Sequence, residues 1–186
     1  MRSIVFLLVS LCPVAPLLRA QSPADGHVEG NSYVNTYFHV AYSWPKFLHA
    51  VDAKSLALSQ ISPNGHEFLL FAAKQGDEPF GAMILAEKLN VPTAHSNGIK
   101  DGAGFLDRAI RSFDAAGKPQ ILLRRHFTNS DGISFDQLDY LIFGEPTSGV
   151  TAQIGDFLIV FKFNAKSASD LEEMTRSAIA LHRTDH

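Results

Sequence analysis

The chain has 186 residues, of which 46% are hydrophobic and 19% are charged. This balance is typical of one globular domain with an apolar core, and it excludes a disordered, collagen-like or coiled-coil protein. The formal net charge is -3, with 16 basic against 19 acidic residues. Because no basic excess is available to neutralise phosphates, we expect no nucleic-acid partner.

The first twenty residues have the pattern of a secretory signal peptide. Arg2 precedes an apolar run over 4–11, and Ala20 ends the apolar region with a small residue suited to cleavage. The run is too short to span a bilayer. We therefore expect residues 1–20 to be removed and the protein to be secreted or periplasmic.

Cys12 is the only cysteine of the chain. Once the signal peptide is removed no cysteine is left, which excludes disulfides, zinc–cysteine sites, iron–sulfur clusters and a thiol nucleophile. The alternative is that Cys12 is lipid-modified, but Leu11 and Pro13 match poorly the small neighbours that lipoprotein processing prefers. We expect neither a metal nor a cofactor in the mature domain.

The N-terminal half is predicted to consist mainly of strands. Residues 21–31 contain Pro23, Gly26 and Gly30 and predict a flexible lead, so that a single domain covers 32–186. Further along, aromatic and β-branched residues predict a strand over 33–44, a short strand over 56–61, and a hairpin of strands over 67–73 and 81–89. Trp44 is expected to be a packing anchor of the core.

Two helices are predicted on either side of further strands. Asp101 is placed to cap a helix over 101–117, and an apolar stripe recurs along one side of it. A last strand over 150–164 is predicted to bend at Gly155. Ser169 and Glu172 form a capping box for the final helix.

A second hairpin is predicted to join strands over 121–127 and 133–143. Its turn is centred on Asp131 and Gly132, a dipeptide suited to a two-residue type I′ turn. Such a turn places Arg124 opposite Asp139 and His126 opposite Gln137, all on one face of the sheet.

These four residues, Arg124, His126, Gln137 and Asp139, are the candidate binding site. On one face, an aspartate can orient a histidine, and an arginine can bind a carboxylate or phosphate. The alternative interpretation is that the charged cross-strand pairs only make a half-exposed face soluble.

The order of elements resembles a known family. The features that carry the resemblance are the aromatic opening segment YVNTYFHVAYSWP, the middle amphipathic helix, the long paired strands and the ending FLIVFKFNAKSASDLEEM. Together they resemble the PsbP-like group, known from the photosystem II extrinsic subunit, from a fold relative that binds the small GTPase Ran, and from bacterial secreted proteins. The resemblance implies an α/β/α sandwich about an antiparallel sheet, and binding rather than catalysis. It transfers no catalytic residue.

The sequence lacks the local signatures of serine hydrolases, zincins, calcium-binding EF-hands and P-loop nucleotidases. We therefore expect an exported, non-enzymatic domain that binds a protein or a small ligand in the cell envelope.

Three alternatives to this expectation are considered. The first is a secreted hydrolase that combines His126 or His39, Asp139, and Ser134 or Ser43; the predicted turn places Ser134 on the face opposite His126. The second is an assembly protein with an exposed aromatic patch. The third is a metal site at His182 and His186, whose spacing could hold a metal, but a frayed terminus is the simpler interpretation.

Overall fold

The computed structural model describes residues 22–52, 66–76, 81–92, 98–113 and 117–184. Within these ranges the strands are β1 (Gly26–Glu29), β2 (Ser32–Asn35), β3 (Val40–Ser43), β4 (His49–Ala50), β5 (Glu67–Lys74), β6 (Gly81–Lys88), β7 (Gln120–Thr128), β8 (Ser134–Ile142), β9 (Glu145–Ile154), β10 (Phe157–Asn164) and β11 (His182–Arg183). The helices are α1 (Gly102–Ser112) and α2 (Ala168–Ile179). The expected signal peptide with Cys12, the short strand over 56–61 and His186 lie outside the described residues.

The strands form two antiparallel sheets. The large sheet has the order β4-β5-β6-β10-β9-β8-β7, and the small sheet has the order β1-β2-β3-β11. With two helices besides, the predicted α+β class with antiparallel strands is confirmed. The small sheet was not predicted as a separate unit. No helix within the described ranges is both long enough and apolar enough to cross a membrane.

The small sheet corrects two predictions about the N-terminal segment. Strand β1 lies inside the predicted flexible lead and pairs with β2. The single strand predicted over 33–44 is instead a pair of strands, β2 and β3. The chain reverses between them because the side-chain oxygen of Asn35 accepts a hydrogen bond from the Phe38 N–H at 3.0 Å and His39 adopts a φ of 53°. The alternation of aromatic and β-branched residues over 33–44 predicts one continuous strand and gives no sign of this turn, which is built on the Asn35 side chain.

The strand predicted over 150–164 is a hairpin rather than one bent strand. Strand β9 begins at Glu145, and Ile154 pairs with Phe157 across the turn. Gly155 has a φ of 56°, a conformation that glycine adopts without strain at the first position of a two-residue hairpin loop. The glycine was correctly identified as a break in the strand, but it reverses the chain completely.

Both helices begin at a capping side chain. The Asp101 carboxylate accepts the Gly104 N–H at 2.7 Å, so the predicted cap of α1 is confirmed. Helix α1 ends at Ser112, earlier than predicted. The cap of α2 is Ser167, whose hydroxyl accepts the Asp170 N–H at 3.1 Å, so the prediction that Ser169 caps this helix is wrong.

The large sheet separates two apolar cores. On one face, here the α2 face, side chains from α2 and the small sheet pack on Phe71, Phe161 and other residues of the large sheet. Trp44 belongs to this core and stacks on Phe71 at 4.6 Å between ring centroids, as expected of a packing anchor. On the opposite face, here the α1 face, Phe105 and Leu106 of α1 pack on the sheet.

The turn between β7 and β8 has three residues rather than the two predicted. The Asn129 N–H donates to the Ile133 carbonyl at 3.0 Å, which leaves residues 130–132 in the loop. Only Gly132 has a positive φ, 72°, among these three. This is a type I turn followed by a left-handed glycine, whereas a type I′ turn needs two positive φ values.

Asn129 joins this turn to the end of α2. Its side-chain oxygen accepts the N–H groups of Asp131 and Ile133, each at 3.0 Å. Its amide nitrogen donates to the carbonyls of Ile179 and Leu181 at 3.2 and 2.8 Å. One side chain thus shapes the hairpin loop and ties it to the α2 face.

We expect Phe161→Ala to lower the free energy of unfolding by about 3–5 kcal/mol, since it leaves a cavity in the fully buried core. Phe143→Ala is the matched control, because Phe143 is 81% exposed, and it should change stability by less than about 0.5 kcal/mol. Urea denaturation of both variants checks this. Equal losses would contradict the described core.

We expect Asn129→Ala to destabilise the protein by about 2 kcal/mol or more, because it removes four hydrogen bonds and leaves two carbonyls without a partner. The neighbouring Ser130→Ala should cost less than about 0.5 kcal/mol, because Ser130 is exposed. Urea denaturation again measures both, and a loss as small for Asn129→Ala as for Ser130→Ala would refute the joining role.

Candidate functional site

The four predicted site residues lie on two different faces of the large sheet. Because the turn is one residue longer than predicted, Arg124 pairs with Leu138 and His126 pairs with Asp136. A shift of one residue moves every side chain of a strand to the other face. Arg124 and His126 therefore lie on the α1 face, and Gln137 and Asp139 lie on the α2 face.

Arg124 and His126 each pair with an acid on the α1 face. The Arg124 guanidinium contacts the Asp107 carboxylate of α1 at 2.5 Å, with both side chains 45% exposed. His126 Nδ1 lies 3.0 Å from Asp136 Oδ1, and the His126 side chain is 65% exposed. Such exposed pairs contribute little to the stability of the fold.

Gln137 and Asp139 belong to a closed hydrogen-bond network on the α2 face. Arg125 Nε donates to Gln137 Oε1 at 2.9 Å, and Gln137 Nε2 donates to both Asp139 oxygens at 2.8 Å. The Ser148 hydroxyl donates to Asp139 Oδ1 at 2.5 Å. Gln137 and Ser148 are buried. These groups satisfy one another, which is the arrangement of a structural network.

The residues considered for a hydrolase are not assembled into a catalytic set. The longer turn places Ser134 on the same face as His126, contrary to prediction. However, the Ser134 hydroxyl lies 3.4 Å from the Thr128 hydroxyl, and the Ser43 hydroxyl lies 2.6 Å from that of Ser32. Among the described residues, neither serine hydroxyl is in hydrogen-bond contact with a histidine.

A cavity of about 490 Å³ lies between α1 and the large sheet. Its floor is formed by two rows of residues that run across five strands of the α1 face. The first row consists of Lys74, Gly81, Asn164, Thr147 and Tyr140. The second row consists of Ala72, Met83, Lys162, Gly149 and Leu138. Its wall is formed by Phe105, Leu106, Ala109, Ile110 and Phe113 of α1.

Small residues in the floor create this space. Ala72, Gly81 and Gly149 place little or no side chain above the sheet where α1 passes over it. A Cβ added at Gly149 would lie 2.7 Å from Leu106 Cδ2, so the glycine also sets how closely the helix approaches. A glycine inside a strand is the sequence signal for such close approach, but Gly149 was not included in a predicted strand.

The lining is apolar with a few polar groups. Lys74, Lys162 and Asn164 line the cavity and are themselves exposed, so the cavity opens to solvent beside them. Tyr140 lines it as well, and burial raises the pKa of its phenol above the ordinary value of 10.0. An apolar cavity with few polar groups is the usual form of a small-molecule site.

Two ion pairs join α1 to neighbouring strands. Besides the pair of Asp107 with Arg124, Arg108 Nη2 lies 3.7 Å from Glu87 Oε1 of β6. Burial raises the pKa of Glu87 above its ordinary value of 4.5; the negative charge of Glu67 adds to this rise, and Arg108 and Lys162 oppose it. The ionised Glu87 carboxylate is therefore a net cost to the folded state, despite its partner.

The metal site and the aromatic patch considered from the sequence are not found in the described part of the chain. No cluster of three or more histidine, cysteine, aspartate or glutamate side chains is placed there to hold a metal. His182 belongs to β11, and its expected partner His186 is outside the described residues. Phe143 is the one aromatic side chain among the exposed large hydrophobic residues described, so they do not form an aromatic patch.

No family model matches the chain, and no curated protein matches it. The PsbP-like resemblance thus stays a prediction.

We expect the Glu87→Gln variant to gain stability relative to the parent as the pH rises. The pKa of Glu87 is higher in the folded state than its ordinary value, so the parent loses stability as the pH increases through the folded pKa, and glutamine does not. Urea denaturation at pH values of about 4 and about 7 measures the difference.

The Glu67→Gln variant tests the cause of this pH dependence. It removes the negative charge that helps to raise the pKa of Glu87, and it should therefore shrink the parent's loss of stability. If the stability of Glu87→Gln relative to the parent stays constant or falls as the pH rises, then the pKa of Glu87 is not raised in the folded state.

Proposed function

We propose that this chain is an exported, non-enzymatic binding protein that holds a small apolar ligand in the cavity between α1 and the large sheet. The observation that carries the proposal is the cavity itself: about 490 Å³, walled by apolar side chains of α1 and floored by small and apolar residues. Its volume lies in the range of small-molecule sites, about 300–1,000 Å³.

The chemistry of the lining favours binding over catalysis. The hydroxyl groups of the described lining on the α1 face belong to Ser112, Thr147 and Tyr140, and the lining holds no histidine and no carboxylate; the Ser148 hydroxyl instead donates to Asp139 on the α2 face. A hydroxyl nucleophile needs a general base within hydrogen-bond reach. Among the described residues no histidine, acid or lysine side chain is hydrogen-bonded to these three hydroxyls, and the pair of His126 with Asp136 stands on an exposed part of the sheet. The hydrolase alternative therefore has less support than the binding protein.

Export and fold family are part of the same proposal. The basic start, the apolar run over 4–11 and Ala20 support a cleaved signal peptide and a secreted or periplasmic location. Helix α1 packs on one face of the large sheet, and α2 with the small sheet packs on the other. This arrangement supports an α/β/α sandwich of the PsbP-like type, and a binding role agrees with that resemblance.

The neutral fluorescent probe N-phenyl-1-naphthylamine tests the site. We expect it to bind the purified protein with a rise in fluorescence, and we expect Ala109→Phe to weaken binding by about tenfold or more, because the added ring fills the cavity.

Ala103→Phe is the matched control, since Ala103 lies on the same helix and is not among the lining residues. It should leave probe binding unchanged. If the folded parent does not bind the probe, or if both variants bind it as well as the parent does, the cavity is not a ligand site.

A further inference from the structure

We infer that the ligand of this cavity is an amphipathic anion, an apolar chain or ring that carries one carboxylate-type head group. This inference rests on the proposed function and adds the ligand's chemical class to it. It follows from the charges of the lining and from their position at the open side of the cavity.

The charge of the lining is opposite to that of the protein. The chain has 19 acidic residues against 16 basic ones, yet the described lining residues include Lys74 and Lys162 and no carboxylate. A concave apolar surface with charge of one sign attracts ligands of the opposite sign, because its low-dielectric walls strengthen the field. A neutral apolar ligand would form no ion pair with either lysine ammonium group.

The cross-strand neighbours of the two lysines carry no carboxylate, and Lys162 acts on Glu87 only from beyond ion-pair distance, lowering the pKa of that carboxyl. Lys162 stands on β10, in the interior of the large sheet, and its cross-strand neighbours are Met83 and Gly149. Lys74 has Gly81 and His49 as neighbours. Among the described residues no acid forms an ion pair with either lysine, and the nearby Glu87 pairs with Arg108.

The apolar surface next to Lys162 completes an amphipathic site. The Lys162 ammonium lies 5.8 Å from the centre of the Phe105 ring, which is part of the cavity wall. The charge therefore stands at the boundary between the apolar wall and solvent. A ligand with its apolar part along α1 would bring an anionic head to this position, where an ion pair compensates for the loss of water.

Hydrogen-bond donors are available along the first row. Asn164 and Tyr140 line the same cavity as Lys74 and carry N–H and O–H donors, whereas the Thr147 hydroxyl between them donates to the Glu145 carbonyl at 3.3 Å. The Tyr140 phenol, whose pKa burial raises above the ordinary value of 10.0, is protonated at neutral pH, so this hydroxyl can donate. Carboxylate oxygens accept such bonds, whereas a cationic head group would meet the like charge of Lys74 and Lys162.

Competition against bound N-phenyl-1-naphthylamine distinguishes the ligand classes, with decanoate, decanol and decyltrimethylammonium as competitors at a neutral pH. We expect decanoate to displace the probe at a concentration about tenfold lower than decanol, and the cation to compete least. Lys162→Met should remove the advantage of decanoate and leave decanol unchanged, whereas Lys162→Arg should retain it.

Lys88→Met is the matched control, because Lys88 is an exposed lysine of β6 outside the lining; it should behave as the parent does. If decanol competes as well as decanoate in the parent, the cavity binds neutral ligands and the anion inference is overturned while the proposed function stands. If the folded protein binds neither the probe nor any competitor, the proposed function itself is wrong, and the inference falls with it.

Discussion

The burial of β10 on both faces is the constraint on which the rest of the fold depends. This strand lies between β6 and β9 in the large sheet. Phe157, Ile159, Phe161 and Phe163 enter the core shared with α2 and the small sheet, and Leu158 and Val160 enter the core under α1. Because side chains alternate strictly along a strand, a shift by one residue would place aromatic rings under α1 and Lys162 in the larger core. The register of β10 therefore determines what each helix can cover.

The cavity begins where the apolar pattern of β10 ends. On the α1 face the strand continues from Leu158 and Val160 to Lys162 and Asn164, which are exposed. At the same level the adjacent strands contribute Gly81 and Gly149 rather than bulky residues. Helix α1 thus has a packed core beneath its first turns and open space beneath its last ones. The same strand that organises the core also positions the positive charge of the candidate site.

The sequence predicted elements better than it predicted turns. The hairpin of β5 and β6, the Asp101 cap and the packing of Trp44 follow from local patterns, because each depends on neighbouring residues or on hydrophobicity. The loop between β7 and β8 does not, since the Asn129 amide that shapes it also bonds Ile179 and Leu181, about fifty positions along the chain. No local rule for the Asp131–Gly132 turn includes those partners.

This one-residue difference explains why the four predicted site residues do not share one face. Arg124, His126, Gln137 and Asp139 were grouped by a register, and the register depended on the turn. The cavity could not be found in the same way, because its floor is defined by side chains that are small or missing, at Ala72, Gly81 and Gly149. Residues that leave such a space share no sequence pattern, so the cavity becomes evident only from the packing of α1 over the sheet.

The outer edge of β7 has a consequence for the protein's behaviour in concentrated solution. It is the last strand of the large sheet, and Ile121, Leu122 and Leu123 are 51%, 52% and 39% exposed. A regular edge of this kind would template the addition of strands from other molecules, the first step of fibril growth. The pairing shifts between Ile121 and Leu123, and such a bulge twists an edge out of alignment with an incoming strand. The bulge and the charge of Arg125 beside it therefore both act against the pairing of this edge with a second copy.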